Sequence, residues 1–271
     1  MTPPRNPPPN HDRGLEYDLA TLHRRRFLGL FTAAGLAAVA GCTTDDPATT
    51  SSTPSTTATT GATDVDEIPQ ETGGPYPGDG SNGPNVLTQS GIVRSDITKS
   101  FGSASGVATG VPLSVQLTVV DADQDQPIAG AAVYLWHCDA EGRYSLYSDG
   151  VTNENYLRGV QPADGSGKVT FTTIFPAAYP GRWPHIHFEV YSSLDEATKA
   201  GQITRTSQLA LPEDVCGTVY ATDGYDGSAQ NLGQTSLEND NVFGDDNGVR
   251  QLATVTGDAG SGYVATLTVG V

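Results

Sequence analysis

What most constrains this chain is a set of short runs in which apolar and polar residues alternate. Ser114 to Val120, Ala132 to Cys138, Lys168 to Ile174 and Tyr263 to Val269 follow a period of two, and each is bounded by Gly, Pro, Asp or Asn. That period sends alternate side chains to opposite faces, so one face can enter a core while the other meets water. A fifth run, His185 to Tyr191, carries His185, His187 and Glu189 on one face and Ile186, Phe188 and Val190 on the other. Gln208 to Leu211 and Gln251 to Thr256 read as further strands, and Ser193 to Ala200 as the one helical stretch. Many short strands separated by turn residues predict an all-β fold, an antiparallel β-sandwich of immunoglobulin-like or transthyretin-like type with long loops. With 32 Gly and 18 Pro in 271 residues, the chain fits neither a coiled coil nor a polytopic membrane protein.

The first residues follow a different logic. Arg24-Arg25-Arg26-Phe27-Leu28 precedes the apolar run Phe31 to Ala40, which is too short to span a bilayer and reads as a twin-arginine export signal. Val39-Ala40-Gly41-Cys42 resembles a bacterial lipobox, so lipid attachment at Cys42 is expected, the alternative being an ordinary buried cysteine. The predicted organisation is a signal over 1–41, a disordered Thr/Ser-rich tether over 42–67 and one domain over 68–271. Such a protein is expected on the outer face of the cell membrane, held by its lipid, or outside the cell. The formal net charge of −17 repels nucleic acid and anionic membrane, so neither is an expected partner beyond the anchor.

Chemistry concentrates in one stretch. Beyond the signal the histidines are His137, His185 and His187. His185 and His187, at alternate positions of one strand, could hold one metal ion, or could be two ordinary surface or core histidines. Tyr179 lies shortly before them in Pro176-Ala-Ala-Tyr179-Pro-Gly-Arg182-Trp-Pro-His185-Ile-His187, and Tyr144 follows another strand in Gly142-Arg143-Tyr144-Ser145. Phenolate is a hard donor suited to ferric iron, whereas the imidazole pair alone would equally suit zinc or copper.

With these segments the chain resembles the intradiol ring-cleavage dioxygenases, the family of protocatechuate, catechol and hydroxyquinol dioxygenases. The matching stretches are Glu71-Thr-Gly-Gly-Pro-Tyr76, Pro127 to Ala131 leading into Trp136-His137-Cys138-Asp139-Ala140, Gly142 to Ser145, Arg158-Gly159, Gly167 to Ile174, Pro176 to Tyr179 and Arg182 to His187, over about residues 68–211. The resemblance implies one Fe(III) per chain held by Tyr144, Tyr179, His185 and His187, with Tyr179 as the axial ligand that takes a proton from substrate. It implies a catechol and O2 as substrates, insertion of both oxygen atoms between the hydroxyl-bearing carbons, a muconate-type diacid as product, and no NADH or flavin. Arg182 would stabilise developing negative charge, and Gln208 matches a family glutamine near the substrate. Tyr76 and Arg143 are candidates for the pocket lining, against ordinary packing or surface roles. Trp136 and Trp183 are expected as core and pocket wall, and His137 as a hydrogen-bonded structural histidine. The resemblance and the export signal together imply catechols met outside the cytoplasm.

Two other readings share some of these features. A secreted β-sandwich binding module would have the signal, tether and strands but no catalytic metal. A cupin-type metalloenzyme also uses His-x-His, but it requires a glutamate where Tyr191 stands. Cys138 and Cys216 are left either as a disulfide closing a long loop or as two buried thiols.

Overall fold

Alternate β-branched and leucine residues make β1 (Pro112–Asp121) the spine of one sheet: Leu113, Val115, Leu117 and Val119 are buried, while Ser114, Gln116 and Thr118 are partly exposed. The computed structural model describes residues 65–271, so the twin-arginine segment, the Cys42 lipobox and residues 43–64 of the tether lie outside it. β1 pairs antiparallel with β5 (Lys168–Ile174) and, at its end, with β2 (Gln126–Pro127). On its other side it pairs in parallel with β9 (Gly262–Gly270), which in turn pairs antiparallel with β8 (Thr254–Asp258). The parallel pair departs from the all-antiparallel expectation. β9 reaches β1 only after the rest of the domain has been laid down, so no hairpin turn sets its direction.

The second sheet has the order β4 (Arg158–Pro162), β3 (Ala132–Trp136), β6 (His185–Tyr191), β7 (Ile203–Ala210), with every pairing antiparallel. Its β3 and β6 are buried on both faces. One face supplies Val133, Leu135, Ile186, Phe188 and Val190 to a hydrophobic core that also holds Val115, Leu117 and Phe171 of the first sheet. Burying each such side chain contributes about 1.5–3 kcal/mol. The other face carries Tyr134, Trp136, His185, His187 and Glu189, and the segment Glu71 to Pro77 covers it. The Glu71 N–H donates to the Thr206 carbonyl at 2.8 Å, and the Tyr134 hydroxyl donates to the Pro77 carbonyl at 2.7 Å. This cover explains how a strand with polar alternate positions is buried throughout.

Other boundaries moved for local reasons. β3 stops at Trp136 rather than Cys138, because the chain turns away to seat His137 between the Cys138 carbonyl and Thr173 Oγ1. β7 begins at Ile203 rather than Gln208, and β8 at Thr254 rather than Gln251. β2 and β4 are short and lack alternation, so no periodicity marks them. Helix α1 (Leu194–Thr198) lies inside the expected helical stretch, its first turn capped by Ser193, whose side chain accepts from the Glu196 N–H. Helices α2 (Glu213–Val219) and α3 (Ser228–Leu232) were not anticipated. Residues 65–67, assigned to the tether, are fastened to the body: the Val65 N–H donates to Asp125, Arg250 pairs with Asp66, and Arg205 pairs with Glu67. Cys138 and Cys216 are both buried free thiols, the former directed at the Ala177 carbonyl 3.6 Å away, so the bridge left open above is not formed. Among the described residues no helix is long and apolar enough to cross a membrane.

Candidate metal centre

Strand β6 sets the site. Its period of two brings the His185 and His187 imidazoles to the covered face, with their Nε2 atoms 3.1 Å apart. Tyr179 arrives on the loop from β5 to β6, and its hydroxyl lies 3.0 Å from His185 Nε2. Tyr144 arrives on the loop from β3 to β4, and its hydroxyl is 3.3 Å from that of Tyr179. The structure thus gathers all four sequence-predicted donors into one cluster. Three of them are buried, and Tyr179 is partly exposed.

The surroundings fix these groups. His185 Nδ1 is 2.5 Å from the Trp183 carbonyl, a contact that assigns the proton to Nδ1 and leaves the Nε2 lone pair facing the cluster. The His187 ring stacks on Trp136 at 4.9 Å with an interplanar angle of 4°. Gly74, at φ +70°, passes so close that a Cβ there would stand 3.2 Å from His187 Cε1. Only glycine meets both the conformation and the approach. Burial, reinforced by Arg182, pushes His185 down to about 3, and burial with His185 beside it holds His187 well below the usual imidazole range. Both rings are therefore neutral, the form in which an imidazole can bind a metal ion. Burial pushes the Tyr144 phenol well up, with Arg182 pulling the other way. Two neutral imidazoles and two phenols that need a highly charged cation to ionise are a donor set that fits a non-haem ferric ion.

Arg182 and Gln208 stand beside the cluster. Arg182 is 4 % exposed; its Nη1 is 3.5 Å from His185 Nε2, and its Nη2 donates to Gln208 Oε1 at 2.6 Å. Gln208 lies opposite His187 in the β6–β7 register and donates from Nε2 to the Thr72 carbonyl at 2.9 Å. The sequence reading missed what holds Arg182, namely Asp240, whose carboxylate accepts from Arg182 Nε at 3.0 Å and from the Trp183, Val242 and Phe243 N–H groups. Although burial opposes it, Arg182 keeps Asp240 below the usual carboxylate range. Nothing in Glu238-Asn-Asp240-Asn distinguishes that aspartate from a surface one.

Arg158, quoted above without a role, is fully buried. It donates to Ser145 Oγ, to the Ser145, Tyr76 and Pro77 carbonyls and to Tyr134, tying the covering segment to the loop that carries Tyr144. Tyr76 does stand at the site, its ring 4.9 Å from that of Tyr144. Arg143 does not. It pairs with Asp139 at 3.0 Å and Glu141 at 2.7 Å and lines a separate cavity of about 920 Å³ that none of the four donors borders, which gives it the surface role. Trp183 belongs to a small apolar cluster with Ala210, Val242 and Phe243.

Comparison with known proteins bears on this arrangement. A family model described as "Dioxygenase" matches residues 82–195, a segment that contains all four donors and Arg182. The chain is 33% identical over 89 residues to a chlorocatechol 1,2-dioxygenase of Pseudomonas sp. (strain P51), across 26% of this chain and 35% of that protein. The match thus spans about a third of that relative's length. Among solved structures it is similar to an intradiol ring-cleavage dioxygenase from Tetranychus urticae, at 26% identity and a TM-score of 0.60, covering 76% of this chain and 94% of that one.

Proposed function

We propose that the chain is an intradiol ring-cleavage dioxygenase, which opens a catechol ring between the two hydroxyl-bearing carbons, inserting both atoms of O2 to give a muconate-type diacid; its similarity to proteins of that activity supports the reading. The observation that carries this reading is the convergence of four donors in a chain of contacts, Tyr144 to Tyr179 at 3.3 Å, Tyr179 to His185 at 3.0 Å and His185 to His187 at 3.1 Å. These four residues would hold one ferric ion per chain. When bound, that ion supplies the Lewis acidity that ionises the catechol and makes its ring reactive toward O2. Tyr179, the partly exposed donor, is placed to take a proton from an incoming catechol hydroxyl at its Oη, whereas buried Tyr144 stays as an anchor. Arg182 stabilises the negative charge that builds on the ring and the oxygen, and it does so without reorganising because Asp240 and Gln208 already fix it. The segment Glu71 to Pro77 keeps bulk water from the cluster. In the same reading the two sheets form a sandwich, the twin-arginine segment exports the domain and Cys42 anchors it.

The test is to load the purified protein with iron and record its visible spectrum and O2 uptake with a panel of catechols. A phenolate-to-iron band and uptake with ring-opened product are expected, with the band altered in both Tyr144→Phe and Tyr179→Phe. A folded protein that stays colourless and consumes no O2 would favour the binding module instead.

A further inference from the structure

The two histidines of the cluster are held in different ways. His185 is anchored through Nδ1, 2.5 Å from the Trp183 carbonyl, whereas His187 Nδ1 is buried and has no hydrogen-bond partner among the described residues. A metal-binding imidazole is ordinarily aimed by a hydrogen bond from its second nitrogen, and His187 lacks one. What it has instead is a flat neighbour. Trp136 stands directly opposite His187 in the β3–β6 register, and the two rings lie parallel, 4.9 Å apart at 4°. Residues paired in this way across two strands bring their side chains together on one face of the sheet. Tyr144 and His185 also lie near the His187 ring, but at 63° and 82°, and both belong to the donor cluster themselves.

The indole is braced from behind. Tyr134, two residues earlier on the same face, stacks on Trp136 at 4.8 Å and 21°. Its hydroxyl is tied in turn to the Pro77 carbonyl and to Arg158 Nη1. Trp136 is completely buried, and its Nε1 has no partner among the described residues. A buried tryptophan usually bonds its N–H. Here that group is idle, so the part of the residue that acts is its ring surface. Filling space would need volume alone. A parallel ring contact also resists the tilting open to an imidazole without an Nδ1 bond, a motion that would carry Nε2 away from the cluster.

We propose that Trp136 is the positioning residue for His187, its indole doing by ring stacking for this donor what the Trp183 carbonyl does by hydrogen bonding for His185. This rests on the reading of the cluster as an iron centre. The experiment compares the native full chain with Trp136→Leu, Trp136→Phe and Phe171→Leu, the last a buried residue of the first sheet that serves as a control for lost core packing. Each protein is checked for folding by circular dichroism and loaded with ferrous salt in air. Iron retained against a competing chelator is then measured, together with the electron paramagnetic resonance of the ferric ion. Trp136→Leu is expected to hold iron about 10–100-fold more weakly with an altered resonance. Trp136→Phe should restore most of both, and Phe171→Leu should match the native protein in both despite a lower stability. Native behaviour of Trp136→Leu, equal losses in all three variants, or no rescue by phenylalanine would overturn the proposal. A second measurement needs no variant: in the metal-free native protein the ring protons of His187 should resonate upfield of an unstacked histidine, shifted by the indole, and ordinary positions would overturn the proposal whether or not Trp136→Leu folds. A native protein that takes up no iron would sink the iron-centre reading and this proposal with it. One that holds iron and cleaves catechols, while Trp136→Leu retains iron as the native protein does, would sink this proposal alone.

Discussion

In the proposed reaction Asp240 acts on the chemistry without touching the donor cluster, through Arg182. Arg182 is useful only if its charge stays fixed in a buried place, and Asp240 fixes it through Nε while the Trp183 N–H locks the carboxylate from the other side. Replacing Asp240 by Asn keeps the shape but leaves the guanidinium without its counter-charge. We expect turnover of a catechol to fall by about 10–100-fold with bound iron unchanged, measured as kcat against metal content. A loss of iron in parallel with activity would instead make Asp240 part of the metal centre. That Tyr144, Tyr179, His185, His187, Arg182 and Gln208 lie together was legible in the sequence, because they sit in short motifs or on a strand whose period fixes their face. Asp240 was not, because its role exists only once a distant loop folds back onto Trp183, and no local pattern encodes that return.

At the scale of elements, the site is a strand covered by a loop. β6 supplies the histidines, and the Glu71 to Pro77 segment closes over them, held by Arg158 and Tyr134. Gly74 is where the cover comes closest. Gly74→Ala adds a Cβ at 3.2 Å from His187 Cε1 on a backbone at φ +70°, so we expect a stability loss of about 1–3 kcal/mol by denaturant titration and weaker iron retention. An unchanged variant would mean that the cover does not bear on His187. The strands that follow a clean period, such as β1, β5 and β6, were read from sequence with nearly their final limits. β4 was missed because Arg158 opens it and Gly159 follows, a start that looks like a loop until the guanidinium finds its carbonyls. The parallel β1–β9 pair was missed because strand direction depends on the order of the whole chain rather than on any segment.

Over the whole molecule, buried titratable groups link stability to pH. His137 lies in the core between the Cys138 carbonyl and Thr173, and burial pushes it down to about 4. The folded protein keeps this ring neutral where the unfolded chain, titrating near 6.5, takes up a proton. Its contribution is complete above pH 6.5 and is lost as pH falls toward 4, by up to roughly 3 kcal/mol. Unfolding midpoints measured across that range should drop for the native protein and drop less for His137→Gln; parallel curves would remove His137 from the account.

The central claim is that the donor cluster on β6 and its loops performs intradiol cleavage, and the most direct measurement is mass analysis of the product formed by the iron-loaded protein from a catechol under oxygen-18-labelled O2. The account predicts a ring-opened diacid carrying both labelled atoms, one in each new carboxyl group. Unlabelled product, a semialdehyde from cleavage beside rather than between the hydroxyl-bearing carbons, or unchanged catechol would contradict it.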